Sequence, residues 1–247
     1  MNYFAKIKYL GTNFSGFQVQ PGLRTVQGEL NSALDTAFGV PCRVTGCSRT
    51  DAGVHANEFC VRLDCEGVSV PAEKLPVAVA RFLPEDLCLF YAEECDENFH
   101  PRYDVKSKEY LYRIINERVY DPFEYGRAWF VPRKITDEGL SLARLAAKEI
   151  VGKRDFSAFM SEGSDVTSTV RTVYYLEIDK TERGIDIRIS ADGFLYNMVR
   201  IIVGTLMEVI YGRMTPDDVR EALALGERNR AGMTAPPEGL YLNSVKY

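Results

Sequence analysis

The chain has 247 residues, 46% of them hydrophobic and 26% charged, enough for one large domain or two modest ones around a packed core. That composition, with no low-complexity tract, excludes a disordered or fibrous protein. The longest apolar stretch, 194–211, carries Asn197, Arg200 and Glu208 and is too polar to span a membrane, and the net charge of −5 argues weakly against a nucleic-acid partner.

In chain order, the alternation Phe4-Ala5-Lys6-Ile7-Lys8-Tyr9 predicts a first strand, and no signal peptide is visible. Val26, Leu30, Leu34 and Phe38 recur every fourth residue, which predicts an amphipathic helix over 26–38 with Thr25 as its N-cap. Two strands joined by a short loop follow around residues 43–63, then a helix over 72–82 and a strand over 87–93. Beyond His100-Pro101-Arg102 the style repeats. Strands are expected at 110–115 and 127–131, a helix over 136–151 with Thr136 as N-cap, and strands at 173–178 and 185–190. Helices over 195–211 and 216–225 come next, the second opened by Thr215 and Pro216, and a last strand at 240–242. The pattern predicts an α+β protein of two halves, 1–100 and 101–247. Each is RRM-like or ferredoxin-like, with mixed or antiparallel sheets forming a central cleft and helices packed outside.

Charge is unevenly spread. Residues 1–62 carry six basic and four acidic groups, 63–100 carry two and nine, 101–134 eight and five, and 135–247 fourteen and seventeen. A polyanion meets local potential rather than total charge, so an RNA partner stays open despite the acidic total. The six cysteines, at 42, 47, 60, 65, 88 and 95, include no Cys-x-x-Cys pair and are expected to be reduced cytosolic thiols. Two Cys-x4-Cys spacings, 42/47 and 60/65, and only two histidines, His55 and His100, supply metal chemistry poorly.

The segment Ser48-Arg49-Thr50-Asp51-Ala52-Gly53-Val54-His55 is the most informative. Asp51 either makes a structural Asx turn or is a charged, accessible carboxylate with bare glycine backbone beside it for a ligand. Arg200 sits among Met198, Val199, Ile201, Ile202 and Val203, so it needs an anion. That anion is either a structural carboxylate such as Glu208 or Asp192, or Asp51, which such a pair would keep ionised. Tyr110 follows Lys106, Lys108 and Glu109; it is a core aromatic or a platform on which a flipped base stacks, and Tyr112 shares its face. Gly16-Phe17-Gln18-Val19-Gln20 with Arg24-Thr25-Val26-Gln27 reads as a capped loop or as a phosphate and sugar contact, and Arg154 and Arg171 lie in segments of similar character.

Five blocks in order give the chain a resemblance to the tRNA pseudouridine synthase A family from end to end. They are Ser48 through His55; Gly16-Phe17-Gln18 with Thr25-Val26-Gln27; Phe99-His100-Pro101-Arg102 leading into Lys108-Glu109-Tyr110-Leu111-Tyr112; Met198-Val199-Arg200-Ile201-Ile202-Val203-Gly204; and Ala235-Pro236-Pro237-Glu238-Gly239-Leu240-Tyr241-Leu242. Ser48 stands where the family has glycine, Leu10 where an aspartate commonly precedes Gly11, Phe17 where tryptophan is common, and Pro101 where many relatives have alanine. None of these departures removes a catalytic group.

The resemblance implies an isomerase that converts uridine to pseudouridine at positions 38, 39 and 40 of the tRNA anticodon stem-loop. It further implies a cytoplasmic homodimer that needs no metal or other cofactor. It makes Asp51 the nucleophile, Arg200 its salt-bridge partner, and Tyr110 the residue that stacks on the base and takes part in proton transfer. Arg49 is then the residue that flips the base, and Leu240 lines the pocket. Two competing readings of the residues are a non-catalytic RNA-binding protein with two RRM-like sheets, and a two-carboxylate hydrolase, for which no second acid stands out near Asp51.

Overall fold

A computed structural model describes residues 2–163 and 166–247. Its first strands and helices are β1 (Asn2–Tyr9), α1 (Val26–Phe38), β2 (Cys42–Gly46), β3 (His55–Cys65), α2 (Leu75–Ala80) and β4 (Leu87–Glu94). Then follow β5 (Ser107–Ile115), β6 (Trp129–Phe130), α3 (Asp137–Ile150), β7 (Gly152–Asp155), β8 (Val170–Lys180), β9 (Gly184–Ala191), α4 (Met198–Ile210), α5 (Pro216–Leu225) and β10 (Leu240–Lys246). The α+β class expected from the alternating periods is what forms.

The chain divides into two compact units, Met1–Lys106 with Tyr241–Tyr247, and Ser107–Leu240. This differs from the expected halves 1–100 and 101–247. β10 pairs in parallel with β3, Tyr241 opposite His55, and the Lys106 amide donates to the Lys246 carbonyl at 2.8 Å. Those hydrogen bonds carry the C-terminal strand back to the first unit, a long-range pairing that no local pattern announces.

The first unit runs β-α-β-β-α-β, the ferredoxin-like order, with strands arranged β4-β1-β3-β10 and β2 also on β3. β1 is antiparallel to both neighbours, Ala5 facing Val61 on one side and Ala92 on the other. Its alternation buries Tyr3, Ala5, Ile7 and Tyr9, while α1 lies along β2 and α2 along β4. α1 starts where expected: the Thr25 hydroxyl accepts from the Gly28 amide, and Gly39 closes the helix in the left-handed region at φ 69°. The 72–82 helix is shorter than expected. A 3-10 turn at Ala72–Lys74 precedes Pro76 in the first turn of α2, and the helix ends at Ala80.

The same register sets Cys42 opposite Cys65 across β2 and β3, with Cα atoms 4.5 Å apart, and the two are joined as a disulfide. The expectation of six reduced thiols therefore does not hold for this pair. The bond joins one cysteine from each of the two Cys-x4-Cys spacings, 42/47 and 60/65. Among the described residues no group of three or more His, Cys, Asp or Glu side chains is arranged to hold a metal, and no helix is long and apolar enough to cross a membrane.

In the second unit the strands run β5-β9-β8-β7, all antiparallel, with the short β6 parallel to β5. β7 was not anticipated: Gly152-Lys153-Arg154-Asp155 has no apolar alternation and is a strand only because β8 offers it a partner. α3 packs on β8, α4 and α5. α4 is buried along nearly its whole surface, and each of its Val, Ile, Leu and Met side chains contributes about 1.5–3 kcal/mol by leaving water. Two close approaches depend on glycine: Gly139 on α3 lies against the Ile210 carbonyl, and Gly204 on α4 against the Met233 carbonyl, with no room at either for a Cβ. α4 begins three residues later than expected, because Leu195–Asn197 form a turn that ends in a left-handed residue.

Candidate active site

The loop that carries Asp51 joins β2 to β3 in the first unit and is fastened at Thr50, Asp51, Gly53 and Val54. Thr50 is buried, its hydroxyl sharing a 2.8 Å hydrogen bond with the Tyr9 hydroxyl, and its carbonyl accepts from the Phe17 amide at 3.1 Å. Gly16, at φ 88°, lies so close to the Thr50 carbonyl that a Cβ would sit 2.7 Å from it. The Gly53 amide donates to Phe14 at 3.2 Å, and the Val54 amide donates to the Asp51 carbonyl at 3.2 Å. Asp51 therefore does open a turn, but its main-chain carbonyl closes that turn, with Gly53 supplying a φ of 80°. The Asp51 side chain is half-buried, and Arg49, two residues before it, is exposed.

His55 completes the clamp. It is 0% exposed, and its Nδ1 accepts from the Gly11 amide at 2.8 Å, which fixes the tautomer with the proton on Nε2. Its ring stacks on Tyr241 with centroids 4.5 Å apart. Neither Tyr9 nor the Gly11–His55 contact had been anticipated as support for the loop. His55 was visible only as one of two histidines.

Several side chains of the approach segment Gly16–Gln27 are engaged within the fold. Arg24 makes a two-pronged pair with Asp86, both contacts at 2.8 Å, reaches Glu29 at 3.0 Å, and covers the Phe14 ring. That guanidinium holds the Asp86 carboxyl below its ordinary range. Gln27 donates to the Val44 carbonyl and accepts from the Val19 amide, while Gln20 donates to the Ser15 carbonyl. These contacts hold the segment as a capped loop, and residues 18–23 stay exposed. Arg154 and Arg171 are likewise turned onto main-chain carbonyls, of Glu149, and of Ser168 and Val170.

In the second unit β5 presents Tyr110 and Tyr112 on one face, and burial separates them. Tyr112 is fully enclosed; its hydroxyl donates to the Pro236 carbonyl at 2.7 Å, and burial pushes its pKa up, with Glu238 adding to the rise. Gly239 must be glycine, because a Cβ there would meet the Tyr112 ring. Tyr110 keeps 7% of its surface exposed and meets the edge of Phe194 at 5.0 Å. Leu240 follows the Pro237–Gly239 turn as the first residue of β10 and is buried.

Arg200 stands in the first turn of α4. Its Nε donates to the Ala235 carbonyl at 2.7 Å, its Nη1 donates to Asn197 Oδ1 at 2.8 Å, and its own carbonyl accepts from the Ala235 amide at 3.1 Å. The two structural carboxylates weighed as partners are engaged elsewhere. Glu208 pairs with Arg213, and Asp192 accepts from the Thr172 amide at 2.9 Å. Nε and Nη1 of the guanidinium are thus held by neutral oxygens of its own unit.

A family model described as tRNA pseudouridine synthase matches residues 5–104 and 146–247. This chain belongs to the tRNA pseudouridine synthase A family. It is 42% identical over 246 residues to the tRNA pseudouridine synthase A of Thermoanaerobacter sp. strain X514, covering 100% of this chain and 99% of the relative. It is 41% identical over 243 residues to that of Bacillus subtilis strain 168, covering 98% and 97%. Against the Listeria monocytogenes EGD-e protein of the same name it is 39% identical over 248 residues, covering 99% and 98%.

Membership sets the reaction class. A tRNA pseudouridine synthase is an isomerase that exchanges the N1–C1′ bond of a tRNA uridine for a C5–C1′ bond.

Proposed function

We propose that the synthase isomerises uridines 38, 39 and 40 of the tRNA anticodon stem-loop, as a cytoplasmic homodimer and without a cofactor, with Asp51 as its nucleophile. The observation that carries the proposal is the clamp on the Asp51 loop. Main-chain bonds to Phe14 and Phe17 and the Tyr9 and His55 contacts fix the backbone, so the carboxylate is presented at reduced conformational cost.

The chemistry divides among five residues. The target uridine leaves the stack, at a cost of a few kcal/mol, and exposed Arg49 enters the space it vacates. The flipped base rests on the Tyr110 ring, with Leu240 as an apolar wall. Ionised Asp51 either attacks C1′ or removes the 2′ proton; in both routes the N1–C1′ electron pair departs with uracil, which remains in the site. The ring turns and C5 bonds to C1′, as the Asp51–C1′ ester bond breaks on the first route or as Asp51 returns the 2′ proton on the second; the C5 proton is then lost with Tyr110 assisting, and N1 ends protonated, so mass is unchanged. Arg200 keeps the carboxylate ionised until it attacks or takes the proton.

Carbodiimide labelling followed by primer extension tests the reading on unmodified tRNA incubated with the protein. Stops at positions 38–40 of the anticodon arm are expected. A tRNA that binds but gives no stop would leave the chain as an RNA-binding protein only.

A further inference from the structure

Asn197 precedes α4 at φ 60° and ψ 7°, the one non-glycine residue with a positive φ among the described residues. L-residues seldom occupy that region, and where a protein keeps one there the local geometry often has a functional use. Asn197 holds the N-cap position, and its carbonyl accepts the first helical bond from Ile201 at 2.9 Å. An N-cap asparagine ordinarily turns its side-chain oxygen to a first-turn amide. This one makes no such bond. Its oxygen accepts instead from Nη1 of Arg200 at 2.8 Å, so the cap is redirected from the backbone of the third helical residue to that residue's side chain.

The other end of the amide is anchored too. Nδ2 of Asn197 donates to Ser161 Oγ at 2.9 Å, and the Ser161 amide donates to the Tyr196 carbonyl at 3.1 Å. With the Ala235 carbonyl on Nε, two of the guanidinium's fixed N–H directions are set, and a planar fork so held has its remaining donors oriented as well. We propose that Asn197 is a positioning residue: it gives up its capping bond and adopts a left-handed backbone in order to aim the Arg200 guanidinium at the reacting carboxylate. This rests on the reading of Asp51 and Arg200 given above.

The test uses the full-length protein and tRNA carrying tritium at uracil C5, the position that loses its hydrogen in the reaction, so released tritium yields kcat and KM. Asn197→Gly accommodates the left-handed backbone and removes only the side-chain tether. It is expected to lower kcat by about ten- to a hundredfold, the rate equivalent of one charge-assisted hydrogen bond, with KM within about twofold and no loss of thermal stability. Asn197→Asp tolerates the same backbone, keeps an acceptor for Nη1 and is expected to recover kcat to within about fivefold of wild type. A wild-type kcat in Asn197→Gly, or equal losses in the glycine and aspartate variants, would overturn the proposal. Should Asn197→Gly fail to fold, Ser161→Ala takes its place, removing the anchor of Nδ2 without touching the backbone: a lower kcat at constant KM supports the proposal and an unchanged kcat refutes it. The underlying reading fails separately, since it is lost if Asp51→Asn turns over normally, whatever the Asn197 variants do.

Discussion

Arg200 and Ala235 exchange two hydrogen bonds: the Ala235 amide donates to the Arg200 carbonyl at 3.1 Å, and Nε of Arg200 donates to the Ala235 carbonyl at 2.7 Å. The side chain of a first-turn helical residue and its own backbone are thereby fastened to one residue of a distant segment. Gly204 packing on the Met233 carbonyl and the Thr205 hydroxyl accepting from the Gly232 amide at 2.8 Å hold that segment against the next turn of α4. The guanidinium therefore has little freedom left.

Arg200→Lys keeps the positive charge and loses both the fixed fork and the Ala235 contact. Turnover is expected to fall by about ten- to a hundredfold while tRNA affinity changes little, measured as kcat and KM by tritium release. A lysine variant with wild-type kcat would mean that charge alone suffices.

Asp51→Asn is nearly isosteric within the same clamped loop, so the fold and RNA binding should persist. Activity is expected to drop by on the order of a thousandfold or more, since an amide neither attacks nor accepts a proton as the carboxylate does. Gel shift and carbodiimide primer extension, run on one preparation, separate the two effects.

Tyr110→Phe and Tyr112→Phe should give opposite results. The first retains the ring against Phe194 and is expected to slow turnover by on the order of a hundredfold at unchanged Tm. The second leaves the Pro236 carbonyl without its buried donor and is expected to cost about 1–2 kcal/mol of stability with activity preserved. Thermal melts and turnover on the same two proteins decide it.

Acid stability should depend on Asp86. Its carboxyl is held below the ordinary carboxylate range chiefly by its hydrogen bonds to Arg24. A group with a depressed folded pKa contributes stability that is present above its unfolded value and is lost as pH falls through the lower folded value. Wild-type Tm is therefore expected to decline as pH is taken from about 5 to below 3, and Asp86→Asn, already less stable at neutral pH, to decline less over that window. Parallel Tm curves for the two proteins would assign the acid sensitivity to other carboxylates.

How far the sequence alone reached depended on the range of the interaction. α1 and α5 appear with the bounds and caps expected of them, because Thr25, Thr215 and Pro216 act within one turn of their own helix. The ordered blocks from Gly16 to Leu242 were legible for a similar reason: each is a contiguous string of residues whose chemistry travels with it, and Asp51 and Arg200 stood out within those strings. β7, the Cys42–Cys65 disulfide and the return of β10 to the first unit were not legible, since each depends on which strand lies alongside, and strand pairing joins residues far apart in the chain. The same division runs through the site. Sequence identified Arg200 as a cation in need of a partner and Tyr110 and Tyr112 as equals on one face. Only tertiary structure buried Tyr112 on Pro236, spent Arg24 on Asp86, and turned the left-handed Asn197 away from its helix toward the guanidinium. Residue type fixes what a group can do, but burial and direction come from neighbours that the chain brings in from elsewhere.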